Sequence, residues 1–186
     1  MSLKELTIQQ HRNAERQKFA GLLMSGSIPP SIYLRYLVNQ HACYSALENH
    51  DLFDLPNKDL ERKKKIQKDI DELNDVLKLD VSVMLTASTL EYLNHVKNIK
   101  HQNDFVAHVY VRYLGDLRGG QMIAKKIPGK GYYYNFENPN ELAHCIYRLL
   151  NDDMADEAKK VFNFATRLFI EMYDIMLMEN RNSKTI

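Results

Sequence analysis

The residues best suited to do chemistry lie in one segment, YVRYLGDLRGGQM, at positions 110–122. Gly115, Gly119 and Gly120 interrupt a pattern that otherwise predicts helix. Each glycine inside a helix costs up to about 1 kcal/mol relative to alanine, so the cluster needs a functional or packing reason. Asp116 follows the first glycine directly. A carboxylate beside a backbone without side chains can organise water close to a ligand.

Three interpretations of these glycines compete. The outer spacing of a phosphate-binding loop is present, but Gln121 and Met122 stand where that loop needs lysine and serine or threonine. No strand-like pattern precedes the segment, so this interpretation fails. The GxxxG spacing of Gly115 and Gly119 is also compatible with close packing between helices. In the third interpretation a large flat ligand lies against the glycines, and Asp116 organises water that delivers protons to a bound oxygen molecule.

A flat ligand that carries a metal needs an axial ligand, and the chain contains seven histidines. His11 has the most supportive context, because Glu15 at i+4 can accept the other ring N–H and fix the tautomer. Ala14 leaves room beside the ring. Lys4, two turns earlier on the same face, can reach an anionic group at the rim of the ligand. A surface or core histidine without a ligand remains the alternative for His11 at this point.

Capping patterns predict the helices that must position these residues. Ser2 and Glu5 have the spacing of a capping box, which predicts a helix that continues to about Ser25. Ser88 and Glu91 have the same spacing and predict the start of another helix. His11 and the glycine cluster are therefore both expected on helices.

The rest of the chain also predicts helices. Asn103 is a candidate cap for the helix that leads into the glycines, and Pro139 suits the first position of a later helix. Only GYYYNF, at positions 131–136, has a strand-like composition. The prediction is a single domain over residues 1–186, built as an all-α bundle of six to eight helices. The apolar stripe of the last helix comprises Val161, Ala165, Leu168, Met172 and Ile175.

The composition excludes several classes of partner. The net charge is +1, with 25 basic and 24 acidic residues, so we expect neither nucleic acid nor an anionic membrane as a partner. No apolar run approaches the roughly 18 residues of a membrane span, and the N-terminus is too polar for a secretory signal. Cys43 and Cys145 lie far apart and predict free thiols in a reducing compartment. We therefore expect a cytoplasmic protein.

Several motifs in order along the chain resemble one family. YLGDLRGGQ at 113–121 closely resembles the signature of the heme oxygenase distal helix, and HRNAE at 11–15 matches H-x-x-A-E around the proximal histidine of that family. LKE at 3–5, ALE at 46–48 and EAKKVF at 157–162 fall at the family's spacing. The resemblance covers nearly the whole chain and implies that heme lies between the N-terminal helix and a kinked distal helix.

The resemblance implies a role for each candidate site residue. His11 is expected to be the axial ligand of the iron of heme b, and Asp116 is expected to hold water beside bound O2. The glycines bring the distal backbone close to heme, and polar neighbours order the water. The implied catalytic residues are Asp116, Gly115, Gly119, Arg112 and Tyr44. The implied heme-binding residues are Lys4, Glu15, Tyr110, Arg148, Gly120 and Phe162.

The resemblance also implies an activity. Heme is expected to be both cofactor and substrate, opened at a meso carbon with O2 to give biliverdin, Fe²⁺ and CO. Lys4 and Arg148 at the propionates favour the α position. The electrons are expected to come from an external donor, either ferredoxin or another soluble reductase, and the protein is expected to be a monomer.

Three positions depart from the family pattern. Arg118 replaces a residue that is usually serine or threonine, and it either faces solvent or reaches into the distal network. His144 lies one turn before Arg148, where relatives often carry lysine, and Ile8 replaces another lysine of some relatives. These departures make the propionate contacts the least conventional part of the site.

Two other functions are compatible with a helical bundle. A heme carrier or sensor that has lost turnover is the first, but a carrier has no use for the distal carboxylate of Asp116. A thiaminase-like enzyme or a di-iron protein is the second. A di-iron site requires Glu-x-x-His pairs on two helices, and the sequence contains only one such pair, Glu141 with His144.

Overall fold

The chain folds into a bundle of helices, which the computed structural model describes for residues 1–185. Ile186, the last residue of the predicted domain, lies outside the described residues. No described residue is in a β-strand, which confirms the all-α prediction. Eight helices result if the continuous unit of α6, a π segment and α7 is counted as one. The elements are α1 (Leu3–Glu15), α2 (Lys18–Ser25), α3 (Pro30–Glu48), α4 (Lys63–Leu77), α5 (Ala87–Lys97), α6 (Gln102–Val109), the π segment (Tyr110–Leu114), α7 (Gly115–Ala124), α8 (Pro139–Tyr147) and α9 (Ala155–Ser183).

The first helix begins as predicted but ends early. The Ser2 side chain accepts the N–H of Glu5, and the Glu5 carboxylate accepts the N–H of Ser2 at 2.7 Å, so the capping box is present. The predicted continuation to about Ser25 is wrong, because Gln17 is extended and separates α1 from α2. After the break, α2 buries Phe19 in the main core.

Helix α9 is the longest element and packs against α1, α2, α5 and α6. Of its predicted apolar stripe, Val161, Leu168 and Met172 are buried, and Ala165 and Ile175 are partly buried. The period of 3.6 residues therefore identified the face that holds the bundle together. Because α1 and α6 both pack on α9, this helix sets the spacing between the proximal and distal sides of the candidate site.

Two predicted helix caps are wrong. Helix α5 is capped by Thr86, whose hydroxyl accepts the N–H of Thr89 at 3.3 Å, whereas the N–H of Ser88 donates to Glu171 on α9 at 3.0 Å. Helix α6 begins after His101 without a side-chain cap, so Asn103 does not cap it. Tertiary partners took precedence over local spacing, at least for Ser88.

The distal helix contains a π segment directly before its glycines. Residues 110–114 form one widened turn between α6 and α7. Such a turn inserts an extra residue into the helix and is a common cause of a kink. The kink predicted for the glycine-rich helix thus begins just before Gly115.

The GYYYNF segment forms a 3₁₀ turn at Tyr132–Tyr134 and not a strand. Gly131 opens the turn with φ of +68°, a left-handed conformation that favours glycine. The Asp69 carboxylate on α4 accepts the N–H groups of Tyr132 at 2.9 Å and Tyr133 at 2.8 Å. This anchoring points the Tyr133 side chain into the bundle.

Two further sequence expectations concern the thiols and the membrane. Cys43 and Cys145 are free, as predicted. Within residues 1–185, none of the helices is long and apolar enough to cross a membrane.

Candidate functional site

Two of the three glycines on α7 face empty space. A methyl group built on Gly115 or Gly119 would meet no other atom within 4 Å, so helix packing does not explain these two residues. Both glycines are exposed, and they lie one turn apart on the same face. The backbone is therefore open to a flat ligand along this face.

Gly120 has a different environment. It is buried, and a methyl group at this position would overlap the ring of Tyr134. Packing within the bundle therefore explains why this residue is glycine, although the family resemblance implied that Gly120 binds heme.

Asp116 lies beside the open glycines, and two tyrosines hold its carboxyl group. Tyr44 donates to one carboxyl oxygen, and the Tyr133 hydroxyl donates to the other at 3.2 Å. Desolvation raises the pKa of Asp116 to about 7. The two tyrosine hydrogen bonds and the charges of Arg62 and Arg112 oppose this shift but do not cancel it. Asp116 can therefore exchange a proton near neutral pH.

Arg112 does not contact Asp116 directly. Its Nε donates to the Tyr92 hydroxyl at 2.8 Å, and its Nη1 donates to Gln40 Oε1 at 3.4 Å. Gln40 in turn donates to the Tyr133 hydroxyl at 3.0 Å. Arg112 is thus connected to the Asp116 carboxyl through two buried side chains, Gln40 and Tyr133, and its role in ordering water stays a prediction.

His11 lies on α1 with 43% of its side chain exposed. Its Nε2 atom is 2.9 Å from Glu15 Oε1, so the sequence spacing does bring these two residues together. The imidazole also stacks on Phe162 of α9, with ring centroids 5.2 Å apart. With Nε2 facing Glu15, Nδ1 is the nitrogen free for a metal, and ligation through Nε2 requires the ring to turn.

Phe162 connects the proximal and distal sides. Besides stacking on His11, it meets Tyr110 edge to face, with ring centroids 6.5 Å apart. Tyr110 begins the π segment that leads to the open glycines. Phe162 therefore bridges His11 on α1 and the start of the π segment that leads to the open glycines.

Comparison with known proteins agrees with this arrangement. A family model described as heme oxygenase matches residues 1–145. The chain belongs to the heme oxygenase family.

The relatives and solved structures extend the likeness over most of the chain. A heme oxygenase of Porphyra purpurea is 32% identical over 136 residues, and one of Guillardia theta is 28% identical over 169 residues. These alignments cover 66% and 86% of this chain, but 56% and 70% of the relatives. The structure of the Leptospira interrogans heme oxygenase has a TM-score of 0.78 at 26% identity and covers 92% of this chain and 100% of its own.

A second solved structure supports the fold alone. Heme oxygenase-1 of Synechocystis, solved in complex with heme, has a TM-score of 0.77 at 22% identity. The match covers 97% of this chain and 96% of that one. The likeness therefore extends to α9, beyond the residues matched by the family model.

The cations expected at the heme propionates are free in the heme oxygenase fold described here. Lys4 on α1 and Arg148 after α8 are exposed, and neither side chain forms a salt bridge within residues 1–185. Tyr110 is half-buried, and burial raises its pKa. Exposed cations without a salt-bridge partner among the described residues are suited to bind carboxylates.

The departures from the family pattern lie on the surface. Arg118 is exposed, and its guanidinium lies 5.5 Å from the centre of the Tyr147 ring, so it faces away from the distal network. His144 is exposed on α8, and Ile8 is partly buried on α1. The distal network is therefore built without Arg118.

Residues far away in sequence complete the site, and the sequence analysis missed them. Arg62 is buried, and it donates to the carbonyl oxygens of Tyr133 at 3.0 Å and Asn135 at 2.9 Å, which fixes the turn that carries Tyr133. Arg62 opens a lysine-rich stretch that is typical of a solvated helix face, so nothing local marked it. Gln40 lies on α3, but its partner Tyr133 is 93 residues away.

The hydrogen bonds continue from Arg112 to the far side of the bundle. The Tyr92 hydroxyl lies 2.6 Å from His108 Nδ1, and His108 Nε2 lies 2.9 Å from Glu157 Oε1. Burial lowers the pKa of His108 to about 4, so its ring is neutral at pH 7. We call this connected series the polar chain. It comprises Asp116, Tyr133, Gln40, Arg112, Tyr92, His108 and Glu157.

Proposed function

We propose that this member of the family is an active heme oxygenase that opens heme b at a meso carbon. The reaction consumes O2 and electrons from an external donor and yields biliverdin, Fe²⁺ and CO. One observation carries the proposal: the carboxyl of Asp116, with a pKa near 7, lies beside a glycine backbone that is open to a flat ligand. Bound heme supplies the iron that binds O2 and the ring that is oxidised.

Asp116 is the residue that supplies protons in this proposal. A group that transfers protons works best when its pKa lies near the working pH, and Asp116 meets this condition. Tyr44 and Tyr133 orient the carboxyl, so a water molecule held by it stays near the face of Gly115 and Gly119. A heme carrier would need neither the shifted pKa nor the orientation.

His11 holds the proximal face. An imidazole nitrogen of His11 would bind the iron, and the Glu15 carboxylate would accept the N–H of the other nitrogen. A neutral histidine ligand does little to promote cleavage of the O–O bond, which suits oxygenation of the ring. The half-exposed position of His11 leaves the ring room to turn toward a ligand.

Lys4, Tyr110 and Arg148 bind the two propionates and set the rotation of heme in the cleft, with Phe162 against the ring. Charge-assisted hydrogen bonds from the two cations would select the α-meso position. Replacing both Lys4 and Arg148 with alanine should therefore give mixed biliverdin isomers, which chromatography of the product resolves. Lys58→Ala with Lys64→Ala removes two exposed cations from another part of the surface and serves as the control. A single isomer from the Lys4 and Arg148 variant would mean that packing sets the orientation.

The remaining partners follow from the chemistry. Electrons must enter from another protein, and we propose a soluble donor, ferredoxin or another soluble reductase. Two free thiols without a disulfide support a reducing compartment, so we propose that the protein is cytoplasmic. We also propose that it is a monomer.

Anaerobic reconstitution with heme, followed by O2 and a reductant, tests the activity. We expect the heme absorption band to disappear while a bilin absorption grows, with biliverdin as the chromatographed product. A heme band that persists through repeated additions of reductant would identify a carrier or sensor, and the enzymatic proposal would be wrong.

A further inference from the structure

Three helices bring two histidines and a glutamate together at the end of the polar chain opposite Asp116. His95 lies on α5, His108 on α6 and Glu157 on α9. One candidate ligand atom from each residue lies within 4.8 Å of the other two. Glu157 Oε1 contacts Nε2 of both imidazoles, at 2.9 Å in the case of His108. None of these residues belongs to the heme site proposed above.

A cleft gives solvent access to this cluster. It has a volume of about 320 Å³, and its lining includes His95, Glu157, Lys160 and Asp104. The side chain of His95 is 29% exposed, whereas that of Glu157 is 7% exposed and that of His108 is fully buried. An ion can therefore approach through the cleft and meet donors that the fold holds in the interior.

We propose that His95, His108 and Glu157 form a binding site for a first-row divalent transition-metal ion. Two imidazoles and one carboxylate are the donors that Zn²⁺ and Fe²⁺ commonly take in proteins. Bonds of about 2.0–2.2 Å place ligand atoms roughly 3–3.5 Å apart, so small side-chain rotations suffice from the present spacing. Three protein ligands leave a position open to water on the cleft side.

Tyr92 completes the site behind His108. Metal-bound histidines almost always hydrogen bond through their second ring nitrogen, and His108 Nδ1 already lies 2.6 Å from the Tyr92 hydroxyl. Without metal, His108 Nε2 donates to Glu157 and Nδ1 accepts from Tyr92. A metal at Nε2 displaces that proton, so Nδ1–H must then donate to the Tyr92 oxygen. Metal binding thus reverses one hydrogen bond of the polar chain.

A hydrogen-bonded cluster that only joins three helices is the competing interpretation. Lys160 can distinguish these two interpretations. Its Nζ lies 3.2 Å from Glu157 Oε2, where it would compete with a bound cation. For a metal site, Lys160→Ala removes a competing positive charge and should tighten binding. For a purely structural cluster, the same change removes an ion pair and creates no affinity for metal.

Zn²⁺ titration of the heme-free protein by calorimetry tests the proposal independently of heme turnover. We expect one Zn²⁺ per chain, binding that Mg²⁺ does not displace, and at least tenfold weaker binding in His95→Ala and in Glu157→Gln. His101→Ala, an exposed histidine beside the cleft, is the matched control, and His11→Ala removes the other adjacent histidine–glutamate pair. Both should bind Zn²⁺ as the parent does. Circular dichroism establishes that each variant is folded.

Nitrogen-15 NMR of the imidazoles supplies a readout that a surface ion would not move. Zn²⁺ should shift the His108 proton from Nε2 to Nδ1, while the spectrum of His144 stays constant. The proposal is overturned if no stoichiometric Zn²⁺ binds, if binding survives in folded His95→Ala and Glu157→Gln, or if His108 keeps its tautomer at saturation.

Discussion

The proximal and distal sides of the proposed heme site are built in opposite ways. His11 is 43% exposed and has one hydrogen-bonding side chain, Glu15, which is itself 63% exposed. Asp116 is held by Tyr44 and Tyr133, both buried and both tied to further buried groups. The distal side is therefore organised by the fold before any ligand arrives, whereas the proximal side can adjust when the ligand binds.

This difference predicts which property of the protein a mutation on each side should change. Changes on the proximal side should alter how heme is bound and leave the folded chain intact. Changes to the buried polar groups of the distal side should alter the chemistry or the stability and leave the affinity for heme nearly constant. The following variants test this division in order of expected effect.

Replacement of His11 should have the largest effect. His11→Ala removes the proposed iron ligand, so ring opening should fall to background and the spectrum of a histidine-ligated heme should be lost. Added imidazole should restore the spectrum, because the space left by the side chain is open to solvent. Absorption spectroscopy measures both effects. His50→Ala is the control, and a variant at His11 with the parent's spectrum would assign the ligand to another histidine.

Asp116→Asn should reduce turnover and spare heme binding. The change keeps the size of the side chain and removes its titratable proton, so ring opening should fall by at least about 10²-fold. Heme affinity should change less than threefold, because the residues proposed to hold heme are unaltered. Single-turnover kinetics and heme titration separate these quantities. Turnover at the parent's rate would remove Asp116 from the proton path.

The two sides also differ in how far the sequence predicted them. The proximal pair was predictable because His11 and Glu15 are four residues apart on one helix, where spacing alone makes them neighbours. The distal side was predictable where a motif contained the residue, as for Asp116, or where the family resemblance implied it, as for Tyr44. Tyr133 became visible only through its long-range contact with Asp116 on α7, and Arg62 only through its contact with the Tyr133 carbonyl.

The helices were likewise predicted correctly where a local pattern determined them and wrongly where distant residues did. The apolar period of α9 predicted its buried face, because a helix buries one stripe whatever its neighbours are. The break after Glu15 and the cap of α5 depended on partners in other helices, and both were predicted wrongly. The π segment has no local signal that we recognise, although the glycines that follow it predicted a kink.

The pH dependence of stability tests whether the Asp116 carboxyl is as desolvated as its surroundings indicate. Its pKa is raised from 3.8 to about 7, so the folded protein holds this proton more tightly than the unfolded chain does. The stability that Asp116 contributes is present at acid pH and is lost as pH rises from about 4 to about 7.

The parent should therefore lose up to about 1 kcal/mol of stability per pH unit relative to Asp116→Asn in this window. Burial lowers the pKa of His108 from 6.5 to about 4, which gives the opposite slope, but this contribution is common to both proteins and cancels in the difference. Urea unfolding at several pH values measures it. A difference that stays constant with pH would mean that Asp116 is ionised throughout.

The smallest effects should come from adjacent glycines that face opposite environments. Alanine is better than glycine inside a helix by up to about 1 kcal/mol, so both Gly119→Ala and Gly120→Ala start with the same local gain. At Gly119 the new methyl group meets nothing within 4 Å, and the heme-free protein should become more stable by about 0.5–1 kcal/mol. At Gly120 the methyl group overlaps the Tyr134 ring, and overpacking should destabilise the protein by about 1–3 kcal/mol.

Heme affinity should respond in the reverse order. The methyl group of Gly119→Ala projects from the face on which heme is proposed to lie, so it should weaken heme binding severalfold while thermal unfolding shows a more stable protein. Gly120→Ala should be less stable but bind heme nearly as the parent does, because its methyl group points into the bundle. If the affinity falls at Gly120 and not at Gly119, heme lies on the other side of α7 and the open face of Gly115 and Gly119 has another purpose.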